Sequence, residues 1–338
     1  MPCDTSSPEG AAVPPRDPVD PSHGRPLPWN GALAARLPAL DDEEGPAVPA
    51  GLPTVVDAHV HVFPDRVMAA VRRWFDEHGW PIRYRLTSEE GIGFLLARGV
   101  EHVVLLHYAH RPGLARELNR YVAGLCRENP RVTGLATVFP GEEGAAGILE
   151  EAFGLGLAGV KLHQHVQCFD PGGPELREVA RACADHGKPL VAHLGREPRS
   201  PAYRCDPHRT CAVETTERLL RDYPGLRLCV PHLGADEFEA YARLCERFDT
   251  LWLDTTMMLG GFLPGLHPPP LSRFRADRVL YGTDFPNLPY AWDRELRRLA
   301  SLGLPEAHLS RLLGENAREL FSLGVDRDTE ERTDDGGA

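Results

Sequence analysis

Residues 54–61 read Thr-Val-Val-Asp-Ala-His-Val-His, an apolar run with polar side chains at every second position of its second half. Side chains two positions apart lie on the same face of a β-strand, so Asp57, His59 and His61 share one face. The segment therefore predicts a buried strand that presents one carboxylate and two imidazoles towards its C-terminal end.

Seven further runs of this kind follow, and a helical pattern separates each from the next. Short strands alternating with helices are typical of βαβ units around a parallel sheet. Eight units within the 275 residues 51–325 predict a (β/α)8 TIM barrel. A doubly wound open sheet is the alternative, but no G-x-G-x-x-G fingerprint follows the first strand. The predicted strands after the first are His102–His107, Val132–Val138, Gly159–His163, Pro189–Leu194, Leu226–His232, Leu251–Thr255 and Arg278–Asp284.

Charge and proline divide the chain into three parts. Its 338 residues carry a net charge of -12, of which residues 1–50 hold -5 and residues 326–338 hold -4. Residues 51–325, the predicted barrel, carry the remaining net charge of -3 and are close to neutral. We expect residues 1–50 to be a proline-rich, acidic and partly disordered extension and residues 326–338 to be a flexible acidic tail.

Composition excludes several classes of function. Hydrophobic residues make up 42% and charged residues 25%, as in ordinary globular proteins. The acidic balance argues against general nucleic-acid binding, and no apolar stretch is long enough to predict a membrane span. Eight cysteines without a C-x-x-C pair, and an N-terminus without a secretory pattern, predict a cytoplasmic protein. We expect a small molecule as the partner and leave open whether the protein is a homo-oligomer.

Function in a TIM barrel lies at the C-terminal ends of the strands, and five polar side chains stand at or near those ends. They are Lys161 and His163 on strand 4, His193 on strand 5, His232 on strand 6 and Asp284 on strand 8. Imidazole nitrogens and carboxylate oxygens are the usual ligands of zinc and similar divalent ions. Together with the His-x-His of strand 1, these residues predict a metal site at the mouth of the barrel.

Five separated motifs, in this order, resemble the amidohydrolase superfamily. The closer resemblance is to its amidohydrolase-related branch, which includes 2-amino-3-carboxymuconate-6-semialdehyde decarboxylase, and it covers about Val55 to Phe321. The motifs are VDAHVHVFP, GVKLHQHVQ, PLVAHLG, VPHLG and VLYGTDFP.

The resemblance implies a role for each of five residues. His59, His61, His193 and Asp284 would be the metal ligands, and Asp284 would also carry protons for a metal-bound water. His232 would polarise the substrate or stabilise charge near the metal. We expect one divalent ion, zinc in preference to manganese or iron.

Lys161 leaves an alternative open. In two-metal members of the superfamily a carbamylated lysine on strand 4 bridges the ions, and the strand 6 histidine is then a ligand. We favour a single ion with Lys161 as a substrate contact, against a structural lysine paired with Asp57. His163 and Arg196 are the other predicted substrate contacts, since an arginine fork suits a carboxylate. A salt bridge between Arg196 and a neighbouring acid such as Glu197 is the alternative for that side chain.

Three functions are consistent with these residues. The leading hypothesis is a metal-dependent hydrolase that cleaves a C–N or C–O bond in a small amide, lactone or cyclic molecule, because a bound ion makes water nucleophilic near neutral pH. The alternative is a metal-dependent non-oxidative decarboxylase of a small carboxylated substrate. The third is a barrel that binds without catalysis, which the intact ligand set argues against. In the enzymatic cases the substrate is predicted to be anionic.

Overall fold

Eight strands alternate with helices through residues 42–263 and 265–324, the part of the chain that the computed structural model describes. Each strand pairs in parallel with its neighbours in sequence, in one sheet of three strands and one of five. This confirms the predicted α/β order. The strands are β1 (Val55–His61), β2 (Val100–Leu106), β3 (Val132–Gly134), β4 (Val160–His163), β5 (Leu190–His193), β6 (Leu228–Val230), β7 (Leu251–Asp254) and β8 (Val279–Leu280).

The helices cover the sheets, and most of the long ones present one apolar side to them. A capping box at Thr87 and Glu90 starts the second helix, and a proline at the first turn starts the sixth. The helices are α1 (Asp65–His78), α2 (Ser88–Ala97), α3 (Ala115–Glu128), α4 (Ala145–Gly154), α5 (Gln164–Gln167), α6 (Pro174–Asp185), α7 (Pro207–Thr210), α8 (Val213–Asp222), α9 (Phe238–Cys245), α10 (Arg294–Ser301), α11 (Glu306–Ser310) and α12 (Asn316–Phe321). A π-helical turn, Arg311–Glu315, joins the last two.

Backbone hydrogen bonds link the two sheets at both of their edges. Between β3 and β4, the Ala136 N–H donates to Gly159 O at 2.7 Å and the Lys161 N–H to Ala136 O at 2.7 Å. Between β8 and β1, the Asp284 N–H donates to His59 O at 2.9 Å. The eight strands therefore form the ring of a TIM barrel.

Burial in the strands follows this architecture. Every residue of β1, β4, β5 and β7 is buried, as expected for parallel strands that are enclosed by helices. The buried set includes polar and charged side chains at the strand ends, such as His59 and Lys161, both without exposed surface. Because burying such groups without partners is costly, their contacts identify the functional end of the barrel.

The last strand is shorter than the sequence predicts. Only Val279–Leu280 of the predicted Arg278–Asp284 pairs as a strand with β7. Beyond Leu280 the chain hydrogen-bonds to β1 instead, and Asp284 has a φ of 76°, which regular strand geometry does not allow. This turn directs the Asp284 side chain towards the histidines of β1.

The N-terminal extension ends earlier than residue 50. Residues 42–50 lie against the barrel: the Gly45 N–H donates to Asp293 Oδ2 at 3.0 Å, and the Val48 N–H donates to Arg98 O at 2.8 Å. Contacts with the barrel therefore begin before residue 51, the predicted start of the barrel domain. The rest of the extension and the predicted tail, residues 1–41 and 325–338, lie outside the described residues. None of the described helices combines the length and hydropathy that crossing a membrane requires.

Candidate metal centre and active site

Three of the four predicted metal ligands meet where β1 and the turn after β8 come together. The Nε2 atoms of His59 and His61 are 3.2 Å apart, and Asp284 Oδ1 is 3.0 Å from Nε2 of His61 and 3.6 Å from Nε2 of His59. All three residues are buried. Two imidazole nitrogens and one carboxylate oxygen, all facing a common point, suit a divalent cation.

Asp254, at the end of β7, fixes the orientation of His59. The His59 Nδ1 atom donates to Asp254 Oδ2 at 2.9 Å, which leaves Nε2 with the lone pair that a metal ligand needs. Burial, helped by the charge of Lys161, lowers the pKa of His59 to about 4, so the imidazole is neutral near pH 7. Burial opposes ionisation of Asp254, but the interactions with His59 outweigh it and hold the Asp254 pKa below its usual value.

His193 lies beside this group and has its own carboxylate partner. Its Nδ1 atom donates to Glu197 Oε1, while its buried Nε2 atom has no hydrogen-bond partner among the described residues. The His193 and His59 ring centroids are 5.7 Å apart. Burial, with Lys161 nearby, places the pKa of His193 well below its ordinary value. A neutral, oriented imidazole with a free Nε2 fits the predicted role of fourth ligand.

Glu197 connects a second group of histidines. Its Oε2 accepts from His165 Nδ1 at 2.9 Å, and its Oε1 lies 3.6 Å from His232 Nε2. Although burial opposes ionisation, the surrounding histidines, led by His165, hold the Glu197 pKa below its usual value. From the sequence we expected Glu197 only as a possible salt-bridge partner of Arg196. The sequence signal that could have indicated this role is the position of Glu197 four residues after His193, a predicted ligand.

His163 stacks on His193. The two residues are direct partners in the β4–β5 register, and their rings lie 4.0 Å apart at an angle of 8°. We call the three predicted ligands that meet, His59, His61 and Asp284, the ligand group. His163 also lines the cavity above this group, which is consistent with the predicted contact between His163 and the substrate.

His232 reaches the same cavity from the turn after β6. Its Nδ1 atom donates to the Thr256 carbonyl at 2.9 Å, and its backbone N–H donates to Asp254 Oδ1 at 3.0 Å. These two bonds leave Nε2 directed towards the cavity and Glu197. His232 therefore lines the cavity next to Glu197, and its catalytic role stays a prediction.

Lys161 lies beneath the ligand group and has no exposed surface. Its Nζ is 3.4 Å from His59 Nε2, and burial lowers its pKa to about 8. The structural alternative for this lysine, an ion pair with Asp57, does not form: the Asp57 carboxylate accepts from the backbone and hydroxyl of Thr283 and from the His59 N–H. The ammonium is thus adjacent to the metal ligands and absent from the described cavity lining.

Arg196 does not lie where the substrate-contact hypothesis requires. Its Nε donates to Cys211 O at 3.1 Å and lies 3.4 Å from Glu237 Oε2. It is absent from the described lining of the cavity. The hypothesis is wrong for this conformation because Glu237, distant in sequence, supplies the carboxylate that the guanidinium pairs with.

The cavity above the ligand group has a volume of about 80 Å³. Its polar lining includes His61, His163, His193, His232, Glu197 and Asp284. Its aromatic walls include Trp74 and Tyr203, whose rings stack 5.4 Å apart at 21°. Its other aromatic side chains are Phe75, Trp80 and Tyr108.

Glu295 of α10 holds one wall of this cavity in place. Its Oε1 accepts from the backbone N–H groups of Leu259 and Gly260 at 2.6 and 2.8 Å, and its Oε2 accepts from that of Met257 at 3.2 Å. Met257 and the adjacent Met258 line the cavity. A buried carboxylate outside the barrel ring therefore sets the position of the segment after β7.

A family model described as amidohydrolase matches residues 56–323. The chain belongs to the amidohydrolase family. The match covers all eight strands except Val55 and confirms the resemblance that the five motifs indicate. A comparison with curated proteins gives no significant match.

Solved structures share the fold of this amidohydrolase at low sequence identity. The 5-carboxyvanillate decarboxylase of Sphingomonas paucimobilis has a TM-score of 0.58 and 18% identity, over 80% of this chain and 99% of that one. The 5-carboxyvanillate decarboxylase of Novosphingobium aromaticivorans, in complex with manganese and 4-hydroxy-3-methoxy-5-nitrobenzoic acid, has a TM-score of 0.60 and 18% identity, over 85% and 100%. A dihydroxybenzoic acid decarboxylase of a Polaromonas species, with bound manganese and 2-nitroresorcinol, has a TM-score of 0.62 and 17% identity, over 82% and 100%.

Proposed function

We propose that the protein is a metal-dependent decarboxylase of a small aromatic carboxylic acid. The observation that carries this proposal is the convergence of His59, His61 and Asp284 at a cavity with aromatic walls. The similar structures named above are decarboxylases, and two of them contain a substituted aromatic ring as ligand. These names support the decarboxylase alternative better than the hydrolase that sequence analysis put first.

His59, His61 and Asp284, with His193 as a fourth ligand, would hold one divalent ion. The fit rests on the facing Nε2 atoms of His59 and His61 and on the unpartnered Nε2 of His193. A bound divalent ion supplies Lewis acidity and orients an anionic substrate. Manganese in two of the similar structures favours that ion over the zinc expected from the sequence.

The chain's own side chains account for the proton balance. Loss of CO₂ breaks a C–C bond and leaves the electron pair on the ring carbon, which must then take up a proton. Asp284 lines the cavity, and we assign its carboxylate to take up a proton from solvent when the substrate binds and to deliver it to the ring carbon. His232, whose Nδ1–H is donated to Thr256 O, presents Nε2 to accept a proton from a substrate hydroxyl. After CO₂ loss, His232 returns its proton to the oxygen of the product, so each turnover consumes one proton from bulk solvent and releases one CO₂.

Two panels of compounds test the proposal against hydrolysis. The manganese-loaded protein is incubated with hydroxybenzoic acids, with CO₂ release as the measurement, and with amides and lactones, with hydrolysis products as the measurement. We expect CO₂ from the acids, and loss of that activity in His61→Ala. Hydrolysis of an amide or lactone without CO₂ release from any acid would overturn the proposal and restore the hydrolase hypothesis.

A cytoplasmic location stays a prediction. It is supported by the seven cysteines in the described part of the chain, none of which forms a disulfide there.

A further inference from the structure

We propose that the cavity selects planar acids with a single carboxylate and rejects those with a second one. This inference rests on the proposed function and narrows its substrate class. It follows from which charged side chains reach the cavity and which ones point elsewhere.

The described residues that line the cavity include no arginine and no lysine. The carboxylates among them are Glu197 and Asp284, and both belong to the histidine network at the floor. One substrate carboxylate would be balanced there by the ion that the ligand group holds and by the nearby Lys161. A second carboxylate finds no arginine or lysine on the described walls, and the histidine there outside the floor, His78, has its Nε2 3.6 Å from Glu77 Oε2.

The cationic groups nearest in sequence to Glu197 and Tyr203 are placed elsewhere. Arg196 pairs with Glu237 and donates to Cys211 O. Arg204 lines an adjoining cavity, which shares five lining residues with this one: Trp74, Phe75, Tyr108, His163 and Tyr203. Neither guanidinium lines the cavity that contains the ligand group.

The remaining wall is mainly apolar, although Ser200 and Asn287 also line it. Trp74, Phe75, Trp80, Met258 and Leu263 line it, and the stacked Trp74–Tyr203 pair adds flat surface that suits an aromatic ring. A carboxylate placed against these side chains loses its hydration without gaining a counter-charge, and an uncompensated buried charge is strongly unfavourable. The same wall accepts hydroxyl, methoxy or hydrogen substituents at a far lower cost.

A matched pair of ligands tests this selection. Salicylate carries one carboxylate, and its analogue with a second carboxylate ortho to the hydroxyl differs by that group alone. Binding of each to the manganese-loaded protein is measured by calorimetry. We expect the dicarboxylate to bind at least about tenfold more weakly. Equal or tighter binding of the dicarboxylate, or no binding of salicylate, would overturn the inference.

Calorimetry separates this inference from the proposed function. If neither acid releases CO₂, the decarboxylase proposal fails. The ratio of the two affinities still tests whether the cavity prefers the acid with one carboxylate.

A substitution that adds a positive charge to the cavity wall gives a second test of the charge argument. Ser200 lines the cavity, so Ser200→Arg adds a guanidinium to its wall, and Ser200→Met adds similar bulk without charge. We expect the arginine variant alone to bind the dicarboxylate more tightly than the wild type does. The same gain in both variants would contradict the charge argument. If the arginine variant does not fold, the wild-type affinity ratio remains decisive.

Discussion

Glu197 accepts a hydrogen bond from Nδ1 of His193, the histidine four residues before it at the end of β5. The bond leaves His193 Nε2 as the free ring nitrogen, in the manner of the carboxylate–histidine pairs that orient metal ligands. Asp254 holds His59 in the same way. Two histidines of the proposed ligand set are thus oriented by carboxylates that come from two other places in the chain.

Replacing Glu197 is expected to weaken metal binding without removing a ligand. In Glu197→Gln one of the two carboxylate oxygens and the negative charge are lost, so the Nδ1 atoms of His193 and His165 are no longer both paired. Affinity for Mn²⁺ should fall about 10–100-fold, as measured by competition with a chelator. Glu237→Gln, which affects a carboxylate paired with Arg196 instead, is the control. Equal affinity in the wild type and Glu197→Gln would contradict the orienting role.

Asp284→Asn tests the proton-transfer role. The amide oxygen can still contact a cation, but the side chain no longer exchanges a proton. Turnover should fall about 10²–10⁴-fold while the metal content of the same sample stays near that of the wild type. Full activity with the metal bound would exclude Asp284 as the proton donor.

The number of ions distinguishes the two interpretations of Lys161. Lys161 Nζ lies 3.4 Å from His59 Nε2, and burial lowers the pKa of Lys161 to about 8. We therefore expect an unmodified lysine whose ammonium form adds positive charge to a one-ion site. Metal analysis should give about one ion per chain, and Lys161→Gln should retain it. Two ions in the wild type, with loss of one in the variant, would instead support a bridging carbamylated lysine.

Arg196→Ala should leave catalysis nearly unchanged. The guanidinium pairs with Glu237 on the far side of its loop, and such partly exposed ion pairs contribute about 0–1 kcal/mol to stability. We expect kcat/KM for a hydroxybenzoic acid to stay within about twofold of the wild type, equivalent to less than about 0.5 kcal/mol. A large rise in KM for anionic substrates alone would restore Arg196 as a substrate contact.

Glu295 predicts a pH dependence of stability. Burial raises its pKa from 4.5 to about 8, against the effect of the three backbone N–H donors. An acid whose pKa is higher in the folded than in the unfolded state stabilises the fold fully below its unfolded pKa. That contribution is lost as the pH rises from about 4.5 towards 8.

Glu295→Gln should reduce this dependence of stability on pH. The free energy of unfolding, measured by denaturant titration at several pH values, should depend less on pH in Glu295→Gln than in the wild type. The difference is on the order of a few kcal/mol, since one pKa unit corresponds to about 1.4 kcal/mol. Glu178→Gln, on the exposed side of α6, is the control. Parallel curves for the wild type and Glu295→Gln would contradict the assignment.

Local patterns in the sequence were sufficient to predict the barrel and the His59–His61 pair. Strand alternation has a period of two, so Val55–His61 specifies both a buried strand and the face its histidines share. The eighth strand was predicted too long because the chain beyond Leu280 bonds to β1 and Asp284 has a positive φ. A local sequence pattern does not contain this long-range pairing.

Long-range partners were the part that could not be predicted. Arg196 has an acidic neighbour in sequence, yet its carboxylate partner is Glu237, and Glu197 instead reaches the histidines. Asp254 lies near the end of the predicted strand Leu251–Thr255, but its bond to His59 joins residues 195 positions apart. Such pairings depend on how loops fold over the barrel mouth, which single-sequence periodicity does not contain.

The hydrogen bond from the Asp284 N–H to His59 O joins the last strand of the ring to the first, next to two of the proposed ligands. A chain still on the ribosome, or one truncated before residue 279, lacks both that seam and the carboxylate of Asp284. Its first strand would remain an unpaired edge and its two histidines an incomplete chelator. A divalent ion would therefore find the complete proposed ligand set only after the last strand has been made and the ring has closed.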